Sequence, residues 1–156
     1  MKPGTFTQMY VQIVFAVKNR AAVLDKNWRT RVFEYMGGIV NNMKHKTIII
    51  NGVSDHVHIF LGLNPVISIS DTVHEIKRCT SLFINSEKLC AFKFEWQEGY
   101  GAFTYSHSQI DNVFNYIKNQ EEHHAKDSFK EEYIKFLRKF EIDHDERYLF
   151  EFFENV

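Results

Sequence analysis

An α+β fold built on an antiparallel sheet is predicted by three features of this sequence. Residues 7–17 and 56–63 alternate with the period of two that a half-buried strand requires. Residues 27–43 and 70–88 carry apolar side chains at helical spacing. The elements then run strand, helix, strand, strand, helix, strand, with more helices behind. That order matches a ferredoxin-like sheet with helices packed on one face, and it leaves the other face free for a ligand.

Each element has a local reason. Met9, Val11, Ile13, Phe15 and Val17 fall on one side of the first strand. Trp28, Val32, Tyr35, Met36, Ile39, Val40 and Met43 form the stripe of the first helix, which Asp25 or Asn27 can cap. The β-branched run Ile48-Ile49-Ile50 predicts a buried strand over 46–53. Ser54-Asp55 breaks the chain before the strand at 56–63. Ile69, Val73, Ile76, Thr80 and Phe83 make the inner stripe of the second helix. Phe92, Phe94 and Trp96 alternate as a further strand, Gly99-Tyr100-Gly101 turns, and 102–105 resumes the strand. Helices follow over 108–124, with Ser108 as N-cap and Asp111 completing a capping-box variant, and over 128–140. Residues 1–125 are expected to form the main domain, with 126–156 a helical extension packed on it.

The composition is that of an ordinary globular chain: 44% hydrophobic, 25% charged, 156 residues. No run of about 18 apolar residues predicts a membrane span, and the N-terminal segment lacks the apolar region of a signal peptide. Cys79 and Cys90 have neither metal-type nor disulfide-framework spacing, so a reducing cytoplasm is expected. The formal charge of -1 conceals a division: residues 1–120 carry a net +4 and residues 121–156 a net -5. A mildly basic body permits a phosphate-binding face.

The stretch Asp55-His56-Val57-His58-Ile59-Phe60-Leu61 is the most informative. Alternation puts Val57, Ile59 and Leu61 toward the core and His56, His58 and Phe60 on the opposite face. The two imidazoles then stand roughly 7 Å apart along the strand, a spacing from which both can reach one metal ion. Eight histidines also produce such a pair by chance, so a third ligand must come from elsewhere. The helix at 108–124 offers one. Ile110, Val113, Phe114 and Ile117 define its buried stripe, and Tyr116 and Gln120, four residues apart, share its flank. A phenol is a poor nucleophile at neutral pH and needs a polarised electrophile or a nearby base. Otherwise Tyr116 is an ordinary rim residue with a buried ring and a wet hydroxyl.

His56-Val57-His58 resembles the histidine-hydrophobic-histidine signature of the HUH endonucleases. Tyr116-Ile117-Lys118-Asn119-Gln120 resembles the tyrosine helix of their single-tyrosine branch, the transposases of the insertion-sequence-200/605 type. The similarity extends over most of residues 5–124 and includes Trp96 to Phe103. Glu121 to His124, and the region to Tyr148, resemble a longer-tailed subgroup.

The resemblance implies a homodimer whose tyrosine helix can dock on the partner's histidines to make shared active sites. It implies that His56, His58 and Gln120 hold Mg²⁺ or Mn²⁺, a choice that bare ligand preference leaves open to zinc as well. It implies that Tyr116 attacks single-stranded DNA at ends marked by imperfect hairpins, through a 5′-phosphotyrosine bond. No nucleotide cofactor or membrane enters. The polar face of the second helix, with Lys77 and Arg78, offers phosphate contacts, though such a face is as often only solvated. Two other functions remain open on sequence alone: a domesticated nuclease that processes repeated palindromes, and a non-catalytic single-strand-binding module.

Overall fold

A computed structural model describes residues 2–153. Its sheet has four strands: β1 (Tyr10–Ala16), β2 (Lys46–Gly52), β3 (His56–Gly62) and β4 (Gly101–Tyr105). They lie in the order β2-β3-β1-β4, and every neighbouring pair is antiparallel. Helix α1 (Arg29–Asn42) joins β1 to β2, and α2 (Ile69–Ser86) joins β3 to β4. This is the ferredoxin-like arrangement expected from the element order. After β4 come a 3₁₀ turn (His107–Gln109), α3 (Ile110–Lys118), α4 (Gln120–Lys126), α5 (Phe129–Lys139) and a last 3₁₀ turn (Glu146–Tyr148). No helix among the described residues is long and apolar enough to cross a membrane.

Alternation sorts the sheet into two faces. Val11, Ile13 and Phe15 of β1 and Val57, Ile59 and Leu61 of β3 are fully buried with Val32, Met36 and Val40 of α1 and Val73, Ile76 and Ile84 of α2. That layer is the main core. The opposite face bears Tyr10, Gln12, His56, His58 and Phe60, and it does not lie open as expected. Val113 and Ile117 of α3 close over Tyr10 and Phe60. Phe136 of α5 and Phe140, the residue that caps it, stack on Phe103 of β4, with ring centroids 5.1 and 5.0 Å apart. The apolar stripe of α5 has to be buried somewhere, and this face of the sheet is where it goes.

Four local expectations change. The strand expected at residues 92–96 is absent; Trp96 makes an isolated bridge with Val17. Asn85 of α2 bonds both the N–H and the carbonyl of Phe94, at 2.8 and 3.0 Å, and so satisfies backbone groups that a strand neighbour would otherwise take. Helix α1 starts at Arg29 with no side-chain cap, because the Asp25 carboxylate bonds the Asn27 N–H one turn earlier. Ser106, not Ser108, opens the helical run after β4, in a reciprocal capping box with Gln109. The helix expected over 108–124 breaks at Asn119. Asn51 of β2 donates to the carbonyls of Ile117 (2.9 Å) and Lys118 (3.2 Å), which would otherwise continue the helical ladder.

Gly101 opens β4 directly beneath α5. A Cβ built there would lie 2.7 Å from the Tyr133 hydroxyl and 2.8 Å from its ring. Tyr133 is itself buried, so its ring has little room to yield. Gly101→Ala is therefore expected to lower stability by about 1–3 kcal/mol in urea denaturation. Adding Tyr133→Ala should make the Gly101 substitution nearly neutral relative to the single Tyr133 variant.

Candidate active site

The site begins with β3. His56 and His58 point to the face away from the main core, as the alternation predicts, and both are completely buried. Gly52, paired with Val57 across the β2–β3 turn, leaves room for this: a Cβ there would be 2.3 Å from the His56 carbonyl oxygen. The ring of Phe129, the first residue of α5, stacks on His56 at 3.9 Å and 5°.

Glu132, one turn further along α5, projects its carboxylate between the two imidazoles. Its Oε1 lies 3.0 Å from Nε2 of His56 and 3.0 Å from Nε2 of His58. Its Oε2 accepts a short bond from the Tyr116 hydroxyl and another from Gln120 Nε2 at 3.2 Å. The Oε1 of Gln120 lies 3.2 Å from His56 Nε2. Tyr116 comes from the end of α3 and Gln120 from the start of α4, so the break at Asn119 separates residues that the sequence places on one helix. The structure still brings His56, His58, Tyr116 and Gln120 together within a single chain. The His123 ring stacks on Tyr116 at 4.4 Å.

Each imidazole is oriented from behind. Nδ1–H of His56 donates to Asp55 Oδ1 at 2.7 Å, leaving Nε2 to face the cluster. Gln12 of β1 accepts from the Tyr105 hydroxyl at 2.7 Å, so its amide donates to Nδ1 of His58 at 2.8 Å. Burial opposes charge on both rings. At His56 the hydrogen bonds and charges of Asp55 and Glu132 outweigh it and push the pKa up to about 9. At His58 burial dominates and the pKa is lowered. Glu132 is held well below the usual carboxylate range by the two histidines, despite its burial. Burial and the adjacent carboxylate push the Tyr116 hydroxyl upward, so it rests as a phenol.

Nε2 of both histidines and a carboxylate oxygen of Glu132 lie within 4.8 Å of one another. Two imidazoles with nearby oxygen donors suit a divalent cation. Glu132 and Tyr116 reach a cleft of about 420 Å³, whose lining also includes Tyr105, Asn112, Lys135 and Lys139, while His56, His58 and Gln120 lie buried behind them.

Lys77 and Arg78 stand apart from this cluster. They belong to α2, which covers the other side of the sheet. Lys77 donates to the carbonyls of Gln97 and Gly99 at 2.8 and 2.7 Å, and burial brings its pKa down to about 8. Arg78 pairs with Glu75. The ammonium of Lys77 thus staples a loop, and the guanidinium of Arg78 is held on its own helix.

Asp55, Gln12 and Glu132 join the site from outside the sequence motifs. Only Glu132 carries a readable signal. It falls in the apolar stripe Phe129, Tyr133, Phe136, Leu137, Phe140 at the i+3 position. A carboxylate inside a core-facing stripe calls for a buried partner.

Comparison with known proteins supplies a family. Residues 5–120 match the family described as "Transposase IS200 like". The structure is similar to that of a candidate transposase from Deinococcus radiodurans R1, with a TM-score of 0.59 and 21% identity over 77% of this chain and 96% of that one. It is also similar to a REP-associated tyrosine transposase bound to a REP hairpin, with a TM-score of 0.58 and 12% identity over 80% of this chain and 74% of that one. At such identities the likeness speaks to the fold. No curated protein matches the sequence.

The opposite shifts of the two histidines make stability depend on pH from both sides. The raised pKa of His56 contributes stability that is full below the ordinary value of 6.5 and lost as pH rises through about 9. The lowered pKa of His58 has the opposite effect, with stability lost as pH falls below 6.5. In EDTA, the thermal midpoint is expected to peak near pH 6.5 and to decline toward pH 9. His56→Gln should flatten the alkaline decline.

Proposed function

Because the chain belongs to the IS200-like transposase family, we propose that it cuts and rejoins single-stranded DNA, with Tyr116 as nucleophile beside a divalent cation. One observation carries this reading: the Tyr116 hydroxyl and both histidine Nε2 atoms contact the same carboxylate, that of Glu132. A phosphate that reaches Tyr116 from the cleft would meet Glu132 there, with the buried histidines and Gln120 in contact with that carboxylate. The hairpin bound by the REP-associated relative supports a substrate of hairpin-bearing single strands. The proposed cation is Mg²⁺ or Mn²⁺, held by His56, His58 and Gln120. When bound, it would polarise the scissile phosphate and stabilise charge on the departing oxygen.

The chain's own residues do the rest. Asp55 and Gln12 orient the imidazoles. Glu132 holds the phenol in place. Lys135 and Lys139 line the cleft, where they can neutralise DNA phosphates, and Tyr105 offers a ring on which an unpaired base can stack. In the reaction the Tyr116 O–H bond breaks and its oxygen bonds to phosphorus. The bond from phosphorus to the 3′-oxygen breaks, and that oxygen leaves as a hydroxyl. The 5′-phosphotyrosine keeps the phosphodiester energy, so attack by another 3′-hydroxyl rejoins a strand without ATP. A homodimer, implied by the family resemblance, would pair two sites, each complete within its own chain.

Incubation with single-stranded hairpin oligonucleotides and Mn²⁺ should yield a covalent protein–DNA adduct on denaturing gels. Tyr116→Phe should abolish it, and His56→Ala should reduce it by about 100-fold or more. An adduct that persists in Tyr116→Phe refutes the nucleophile assignment. Mixing Tyr116→Phe with His56→Ala should restore no adduct, since the tyrosine serves its own chain. Recovery in the mixture would place the tyrosine helix across a dimer.

A further inference from the structure

Glu132 lies outside the matched segment of residues 5–120, on a helix to which no part of the family match extends. It is a buried carboxylate in contact with every member of the proposed catalytic set. Its Oε1 lies 3.0 Å from each histidine Nε2, and Gln120 Oε1 is 3.2 Å from His56 Nε2. Adjacent ligands of an octahedral cation with bonds of about 2.1 Å stand about 3.0 Å apart, whereas those of a tetrahedral zinc site stand about 3.4 Å apart. The two spacings from Oε1 equal the octahedral edge, and the third, 3.2 Å, falls between the two geometries. They are also hydrogen-bond lengths, so the donors need not spread to exchange protons for a cation. The other oxygen, Oε2, remains on the Tyr116 hydroxyl.

We propose that Glu132 is a further ligand of the divalent cation through Oε1 and, through Oε2, the residue that positions Tyr116, so that one carboxylate of α5 couples metal loading to placement of the nucleophile. This role presupposes the metal-assisted cleavage proposed above. Two imidazoles and an amide would leave the cation its full charge; the carboxylate adds an anionic oxygen, which favours hard cations such as Mg²⁺ and Mn²⁺. It also makes α5 part of the active site. Phe129 anchors that helix on His56, and Phe103 of β4 anchors it through Phe136. The alternative is a plug: a carboxylate that occupies the cation's place and must withdraw first. The two roles predict opposite effects of removing it.

The test is Mn²⁺ binding to the full chain without DNA, measured by titration calorimetry, for wild type, Glu132→Gln and Glu132→Ala, with His56→Ala as reference. Circular dichroism melts identify variants that fold. The Gln variant keeps the side chain's shape and a carbonyl acceptor for Tyr116, so it decides the matter if the Ala variant unfolds. Mn²⁺ affinity is expected to fall by about tenfold or more in both. At saturating Mn²⁺, adduct formation should fall in both variants, and further in Glu132→Ala, where Tyr116 loses its tether. Affinity equal to or tighter than wild type in the Gln variant overturns the ligand role and identifies a plug. Failure of the wild type to bind Mn²⁺ overturns the metal-assisted reading together with this one.

Discussion

The whole second layer of this protein converges on the burial of one carboxylate. Glu132 would be costly to bury alone. Here it receives N–H groups of His56 and His58 on one oxygen, and the Tyr116 hydroxyl and Gln120 amide on the other. Those four donors come from β3, α3 and α4, and the carboxylate from α5. Each partner is itself buried or half-buried, so removing any one leaves a polar group without water to replace it. The helices beyond β4 must therefore dock together in one register.

That constraint explains features that would otherwise look unrelated. The break at Asn119 lets α3 and α4 present Tyr116 and Gln120 to the same carboxylate from different directions, and Asn51 secures the break from the sheet edge. Arg29 at the start of α1 reaches Glu121 of α4 at 2.8 Å, tying the helix that bears Gln120 to the main layer. The C-terminal segment adds support. Gln97 bonds both the carbonyl and the N–H of Glu151, and Phe150 packs against Phe129 and Tyr133. Residues far from the cleft thus hold α5 against the histidines.

Much of the frame was legible in the sequence, and so was half of the site. Strand alternation places His56 and His58 on one face with no outside help, because side-chain direction in a strand follows from backbone geometry alone. The paired arrangement of Tyr116 and Gln120 was legible only in part: helical spacing makes them neighbours, but the side-chain donor that takes the carbonyl of Ile117 and splits their helix is Asn51, 66 residues away. The strand expected at Phe92 to Trp96 failed for a similar reason. Its alternation is real, yet Asn85 meets the backbone needs of Phe94 in a strand partner's stead.

By itself, the sequence determined the order of elements, the inward and outward faces of β1 and β3, the ferredoxin-like class and the motifs that point to the family. These depend on periodicity and spacing, which are local. Only the tertiary structure decided that the histidine-bearing face is roofed, and that Glu132 rather than solvent meets the imidazoles. The carboxylate lies 76 residues from His56 and 74 from His58. In the sequence it is one charge in an apolar stripe. Which buried group answers that charge depends on how α5 crosses the sheet, and the crossing is set by the packing of Phe129, Phe136 and Phe140 against rings on distant strands.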